Sequence, residues 1–144
     1  MFAVNNVNAK ALLTQAMGTG GPLNGVKVAL ITAGPAVGPG SALADYTLAT
    51  FTGSTPASVT WLGPDIAANG QGEIQAQVHF AATATPSPAE MVTGYILTDS
   101  GGTNLIGGEL FTTPYNVANN GDLVTFTIRF DQSRITGGQV VEVH

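Results

Sequence analysis

The chain has 144 residues, of which 44% are hydrophobic and only 9% are charged, and its formal net charge at pH 7 is −5. This length corresponds to one domain with a substantial core, and high hydrophobicity combined with low charge excludes wholesale disorder. The four Lys and Arg residues are too few to neutralise a nucleic acid or an anionic membrane surface, and without cysteine the chain has no disulfide, thiolate nucleophile or Cys-based zinc site.

The first predicted element is a short helix within residues 1–22, an N-terminal arm that ends in a Gly-rich linker before a β-domain over residues 23–144. Its apolar residues recur at helical spacing, at Val4, Val7, Ala11, Leu12 and Ala16. Asn5 or Asn6 can cap its start, and Gly18 suits its end. The arm has no apolar run as long as that of a signal peptide, so we expect synthesis in the cytoplasm.

From Val26 onward the apolar residues recur with a period of two, which predicts strands separated by Gly, Pro, Asn and Asp turns. The predicted strands are Val26–Ile31, Tyr46–Phe51, Ser58–Leu62, Glu73–Phe80, Val92–Thr98, Leu105–Phe111, Leu123–Phe130 and Gln139–Val143. Turns are expected at Gly63-Pro64 and at Pro114, among other places. About eight short strands favour an all-β fold, an antiparallel β-sandwich that is jelly-roll-like.

The outward faces of these strands must be largely uncharged, because the chain has so few charged residues. In the strand Glu73–Phe80, for example, the expected core residues alternate with Gln75, Gln77 and His79. A surface of Thr, Ser, Asn, Gln, Ala and Gly has little long-range repulsion, and it suits lasting contacts with copies or partners.

Two histidines leave few options for catalysis. We expect His79 to face solvent, and Glu73 on the same strand face is about 20 Å away, too far to share a metal ion. His144 is the last residue, where chains usually fray. The segment Asp99–Gly102 is similar to the nucleophile segment of trypsin-like serine proteases, but a Gly-rich turn is the expected structure.

The nine carboxylates are spread singly along the sequence. Glu109, which follows two glycines inside an apolar strand, is a buried acid, a bulge residue or an exposed residue. Asp99 and Asn104 flank glycines, but too few oxygen ligands converge there for a calcium site. We therefore expect a protein that is not an enzyme and has no catalytic residue, metal or cofactor.

Two aromatic residues beside prolines, Trp61 and Tyr115, are the best exposed candidates for stacking on a sugar ring. A carbohydrate-binding β-sandwich module is therefore one alternative for the function.

The segment Leu43–Gly53, LADYTLATFTG, resembles a stretch of a widespread group of small structural proteins of tailed phages. The resemblance continues at Trp61, Val78–Phe80, Gly94–Asp99, Leu105–Leu110, Phe111–Pro114 and Asn120–Leu123. It spans roughly residues 26–130 and departs from the group at Val28–Leu30, where the group often has a tyrosine, and at Gly53-Ser54, where it often has Gly-Tyr.

The resemblance implies a virion structural protein with no catalytic residues. We expect a capsid decoration (cement) protein, a homotrimer that binds the major capsid protein and neither nucleic acid nor membrane. The alternative within the virion is a tail, baseplate or fibre component that contacts the host. We expect the anchoring contacts in Met1–Met17 or in the Gly/Pro-rich loop Thr32–Leu43. The candidate contact residues are Val4, Val7, Leu12, Leu13, Pro35, Val37, Pro39, Trp61 and Tyr115.

Overall fold

The structure is a computed structural model that describes residues 23–66, 72–135 and 138–143. The described residues form nine strands: β1 Lys27–Ala33, β2 Thr47–Leu48, β3 Ala57–Ser58, β4 Leu62–Ile66, β5 Gly72–Ala81, β6 Glu90–Thr98, β7 Leu105–Val117, β8 Leu123–Ile135 and β9 Gly138–Val143. One turn of 3-10 helix, Leu43–Asp45, lies between β1 and β2. The helix predicted within residues 1–22 and the terminal His144 lie outside the described residues.

The strands form two sheets, which confirms the all-β antiparallel class. One is a five-stranded sheet with the order β2-β1-β6-β7, in which β3 also pairs with β1, and the other is a four-stranded sheet with the order β4-β5-β8-β9. The registered pairs β1–β2, β1–β6, β6–β7, β4–β5 and β8–β9 are all antiparallel. Each sheet therefore consists largely of pairs of consecutive strands.

The chain divides into two compact units. The first comprises the described parts of residues 1–24, 60–77 and 127–144, and it contains β4 and β9. The second comprises residues 25–59 and 78–126, and it contains the whole five-stranded sheet.

The second unit is built around β1 and β6, which are buried on both faces. In β1, Val28 through Ile31 are each at most 4% exposed, and in β6 Tyr95 through Leu97 are at most 1% exposed. Continuous apolar runs of this kind are typical of strands covered on both sides. The register pairs Leu30 with Tyr95 on one face and Ala29 with Ile96 on the other.

An aromatic cluster covers the face of Tyr95. The rings of Tyr95 and Phe126 stack with centroids 4.6 Å apart, and Phe111 lies 5.1 Å from Phe126. Tyr115 meets Phe111 edge-on at 5.1 Å. Such pairs add to the free energy gained from burial alone.

Two strand predictions are wrong at prolines. The predicted strand Ser58–Leu62 is divided between β3 and β4, and the expected turn at Gly63-Pro64 lies inside β4. Pro114, also predicted as a turn, lies inside β7. Both strands are at the edge of their sheets and both have register shifts, and these are the positions where a residue without an N–H is tolerated.

The predicted strand Tyr46–Phe51 is much shorter in the structure, because only Thr47–Leu48 pairs with β1. The Ala49 amide still donates to the Leu30 carbonyl of β1 at 2.9 Å, and side-chain hydrogen bonds hold the rest of the segment. The Thr50 amide donates to the Glu90 carboxylate at 3.0 Å, and the buried Ser54 hydroxyl donates to the Ala49 carbonyl at 3.0 Å.

The turn at Gly53 has no room for a side chain. Its φ is +110°, and a Cβ there would lie 2.0 Å from the Ala81 carbonyl oxygen. Gly121 has a similar φ of +94° but open space around it.

We expect Gly53→Ala to lower the free energy of unfolding in urea by about 3 kcal/mol or more, and Gly121→Ala by about 1–2 kcal/mol from backbone strain alone. Equal losses in the two variants would show that the Ala81 contact is unimportant.

Candidate functional site

The candidate site is the second face of the five-stranded sheet, the face that carries Ala29, Ile31 and Ile96. These residues form a buried cluster with Tyr46, and Val37, Leu43 and Leu105 pack against it. Val37, Leu43 and Tyr46 all belong to the segment between β1 and β2, so this segment covers the sheet. We call it the covering loop, residues 34–46, and we call the sheet surface beneath it the loop-covered face.

The covering loop is held by local hydrogen bonds. The Gly38 amide donates to the Ser41 hydroxyl at 2.9 Å, and the Ser41 amide donates to the Gly38 carbonyl at 3.0 Å. The Asp45 carboxylate accepts from the Ala42 amide at 2.9 Å, at the start of the 3-10 helix. These bonds satisfy backbone groups that no strand partner reaches.

A cavity of about 200 Å³ lies on the loop-covered face. Its lining residues are Ala29, Leu43, Tyr46, Leu48, Pro56, Ile96, Thr98 and Gly102. None of these described residues is charged, so the cavity suits an apolar group far better than an ion.

Two leucines extend the apolar surface across the same face. Leu48 is paired with Ile31, Ile31 with Gly94, and Gly94 with Leu110, so the four residues form one row across the sheet. Leu48 and Leu110 are each 40% exposed. Ile31 and Gly94 in the middle of the row are buried, so the row offers apolar contact area only at its two ends.

The structure places the expected contact residues in different surroundings. Val4, Val7, Leu12 and Leu13 lie outside the described residues. On the covering loop, Pro35 and Pro39 are exposed, whereas Val37 is half-buried against the cluster. The loop therefore presents two prolines outward and uses its valine for packing.

The two aromatic candidates are less exposed than expected, since both are half-buried. The Trp61 indole N–H donates to the Leu23 carbonyl at 3.0 Å. The Tyr115 hydroxyl donates to the Thr125 carbonyl at 2.6 Å, and its ring packs on Phe111. The sequence signal, a position beside a proline, did not show that these rings are used for packing.

The acidic candidates are engaged in structural hydrogen bonds. The half-buried Glu109 carboxylate accepts a hydrogen bond from the Tyr95 hydroxyl at 3.0 Å. Burial raises the pKa of Tyr95, and the charge of Glu109 raises it further. Glu109 is therefore a structural partner of the aromatic cluster.

The Asp99 carboxylate closes the turn between β6 and β7, which confirms the Gly-rich turn expected there. It accepts from the Asn104 side-chain amide, from the Thr103 amide at 2.9 Å and from the Asn104 amide at 3.3 Å. His79 is exposed, as expected. Within the described part of the chain, no three His, Asp or Glu side chains are grouped so that they could hold a metal ion.

The sequence did not reveal Tyr46, Leu48 and Leu110 as site residues. Their apolar character was visible, but their proximity depends on the register of β2, β1, β6 and β7, for which the sequence carries no local signal.

No protein-family model matches the chain, and no curated protein or solved structure is detectably similar to it. Among residues 23–66, 72–135 and 138–143, no helix is long and apolar enough to cross a membrane.

The Asp99 turn makes stability depend on pH in acid. Hydrogen bonds from the Asn104 side chain and from the Thr103 and Asn104 amides lower the pKa of Asp99 from 3.8 to about 2. Because these hydrogen bonds favour the ionised carboxylate, they stabilise the fold above about pH 4. This stabilisation is lost as the pH falls towards about 2 and the carboxylate is protonated. We expect Asp99→Asn to lower the Tm at pH 7 and to flatten its decrease between pH 4 and pH 2. Ser100→Ala, an exposed control in the same turn, should leave the slope unchanged.

Proposed function

We propose that the chain is a structural protein of a tailed-phage virion, a capsid decoration (cement) protein that binds the major capsid protein. The observation that carries the proposal is the uncharged cavity on the loop-covered face, together with the exposed Leu48 and Leu110. The segment that resembles the phage proteins, Leu43–Gly53, supplies Leu43, Tyr46 and Leu48 to the lining of the cavity on this face. The resemblance and the geometry thus converge on one surface.

The charge distribution supports a role in lasting contact. Only 13 of the 144 residues are charged, counting four Lys and Arg with nine Asp and Glu. Interfaces have few charges at their centre, because desolvating an unpaired charge is costly. The exposed Leu48 and Leu110, with only the uncharged Ile31 and Gly94 between them in the row, fit this pattern.

The proposed role requires no catalysis, metal or cofactor. Three candidate groups support this part of the proposal. Asp99 is engaged in its turn, Glu109 is bonded to Tyr95, and His79 is exposed on a strand. None of the three combines with a second group in the way that nucleophilic or acid–base catalysis requires.

The proposal includes a β-sandwich architecture and an N-terminal helical arm over residues 1–22. Within the second unit, Phe126 of β8 stacks on Tyr95 of β6, which is a contact between strands of the two sheets. This contact supports a sandwich. The pairs of consecutive strands in each sheet support a sandwich of hairpins more directly than the jelly-roll-like order expected from the strand count.

We further propose that the protein is made in the host cytoplasm and assembles on the virion as a homotrimer. The low charge of the chain supports association between copies, because little long-range repulsion opposes it.

The abundance of the protein in purified virions tests its location. Quantitative mass spectrometry should find a copy number comparable to that of the major capsid protein. A few copies per particle would instead indicate a tail, baseplate or fibre component. Absence from virions would contradict the whole proposal.

A charge on the loop-covered face tests the surface itself. Leu110→Asp should weaken binding to purified capsids about tenfold or more, because a carboxylate would be desolvated at the contact. Thr112→Asp, an exposed position on the same strand, is the matched control and should bind as the wild type does. Equal binding by both variants would exclude this face as the capsid contact.

A further inference from the structure

Glu109 has one carboxylate oxygen that no group in the described part of the chain uses. Its Oε2 atom accepts the hydrogen bond from the Tyr95 hydroxyl at 3.0 Å. Its Oε1 atom has no hydrogen-bond or ion-pair partner among the described residues. Among these residues only the Tyr46 hydroxyl is a buried side-chain polar atom without a partner, so Oε1 of the half-buried Glu109 is open to solvent. The carboxylate therefore presents one free acceptor.

The bond from Tyr95 holds this carboxylate in place. Tyr95 is 1% exposed and lies opposite Glu109 in the register of β6 and β7. Burial and the charge of Glu109 raise the pKa of Tyr95, so its hydroxyl remains a hydrogen-bond donor at neutral pH. A ligand thus meets a preorganised acceptor, and it does not have to immobilise a flexible side chain.

Two partly exposed aromatic rings lie beside the carboxylate. Phe111 is two residues from Glu109, about 6.6 Å along the strand, and its ring lies 6.0 Å from that of Tyr95 on the same face. The Phe126 ring lies 4.6 Å from Tyr95 and 5.1 Å from Phe111. Both phenylalanines are half-buried, so part of each ring is accessible. Because β7 is an edge strand, no further described strand of the sheet covers its outer side.

A carboxylate beside aromatic rings defines the chemistry of a ligand. The carboxylate attracts a cation, and the negative face of an aromatic ring does so too. A guanidinium group satisfies both at once, because it is planar, stacks on a ring and donates N–H bonds to a carboxylate. We infer that Glu109, Phe111 and Phe126 form a binding site for a guanidinium group, the cation of an arginine side chain.

The described part of the chain does not supply this cation. Lys27 alternates with Ala29 and Ile31 along β1, which places it on the loop-covered face, away from the aromatic cluster. Glu109 forms no ion pair with Arg129 or with any other described residue. The net charge of −5 favours the approach of a cationic group from outside the chain.

Three small probes test this chemistry by NMR of the Phe ring resonances of the full chain. N-ethylguanidinium, ethylammonium and the neutral N-ethylurea share one ethyl group. N-ethylguanidinium should cause saturable shifts at Phe111 and Phe126 with a Kd of about 1–10 mM. The other two should bind about threefold more weakly or less, because the ammonium does not stack and the urea has no charge. Equal binding by either of them, or no saturable shift with the guanidinium, would overturn the inference.

Glu109→Gln tests the carboxylate and keeps its structural role, because a glutamine oxygen still accepts the bond from Tyr95. The affinity for N-ethylguanidinium should fall about tenfold in this variant, and the weak binding of N-ethylurea should not change. Asp99→Asn is the matched control, since it removes a carboxylate that is engaged in its turn. It should bind the guanidinium as the wild type does. An unchanged affinity in a folded Glu109→Gln variant would refute the site.

Phe111→Leu tests the ring. Leucine keeps an apolar side chain at this half-buried position but has no aromatic face. The affinity for N-ethylguanidinium should fall about threefold, the effect of one partly exposed cation–π contact. Retained affinity would leave the carboxylate alone as the attraction and would contradict the assignment of the ring.

Capsid binding distinguishes an arginine of the partner from a free guanidinium compound, and this arm rests on the proposed function. A loss of about fivefold or more in Glu109→Gln would place the guanidinium on the capsid protein. Unchanged binding would assign the site to a free guanidinium compound. If the wild-type chain does not bind capsids, the proposed function fails, and the probe titrations alone decide the inference.

Discussion

The fold depends on one constraint: β1 and β6 are hydrogen-bonded to each other and carry apolar side chains on both faces. A strand pair of this kind is stable only if both of its faces are covered. The aromatic cluster around Tyr95 covers one face, and the covering loop with Val37 and Tyr46 covers the other. The cavity and the exposed Leu48 and Leu110 lie on this second face, where the covering loop leaves part of the sheet uncovered.

The sequence predicted the strands well where the local pattern of apolar residues alone decides the structure. The strands predicted at Val26–Ile31 and Val92–Thr98 match β1 and β6 closely, because long apolar runs leave few alternatives. The predictions were wrong where a tertiary feature overrides the local signal. Pro64 usually marks a turn, but an edge strand with a register shift can accommodate it, and a sequence does not show which strand is at an edge.

The candidate site was only partly visible in the sequence. The length and composition of the segment after β1 indicated a loop of functional interest, and the structure shows that this loop covers the sheet. The row from Leu48 to Leu110 was not visible, because it joins three strand pairings across more than 60 positions of the chain. Cross-strand neighbours depend on register, and register is set by the packing of the whole sheet.

The prolines in the edge strands have a consequence for aggregation. Natural proteins protect sheet edges by several means, among them charged residues, particularly lysine, and proline, and this chain has few charged residues. Pro64 in β4 and Pro114 in β7 interrupt the pattern of backbone donors at an edge of each sheet, and both strands have register shifts. Strand-by-strand growth into fibres is therefore disfavoured at these two edges. At these two edges, proline and the register shifts therefore give the protection that charged residues provide in many other sheets.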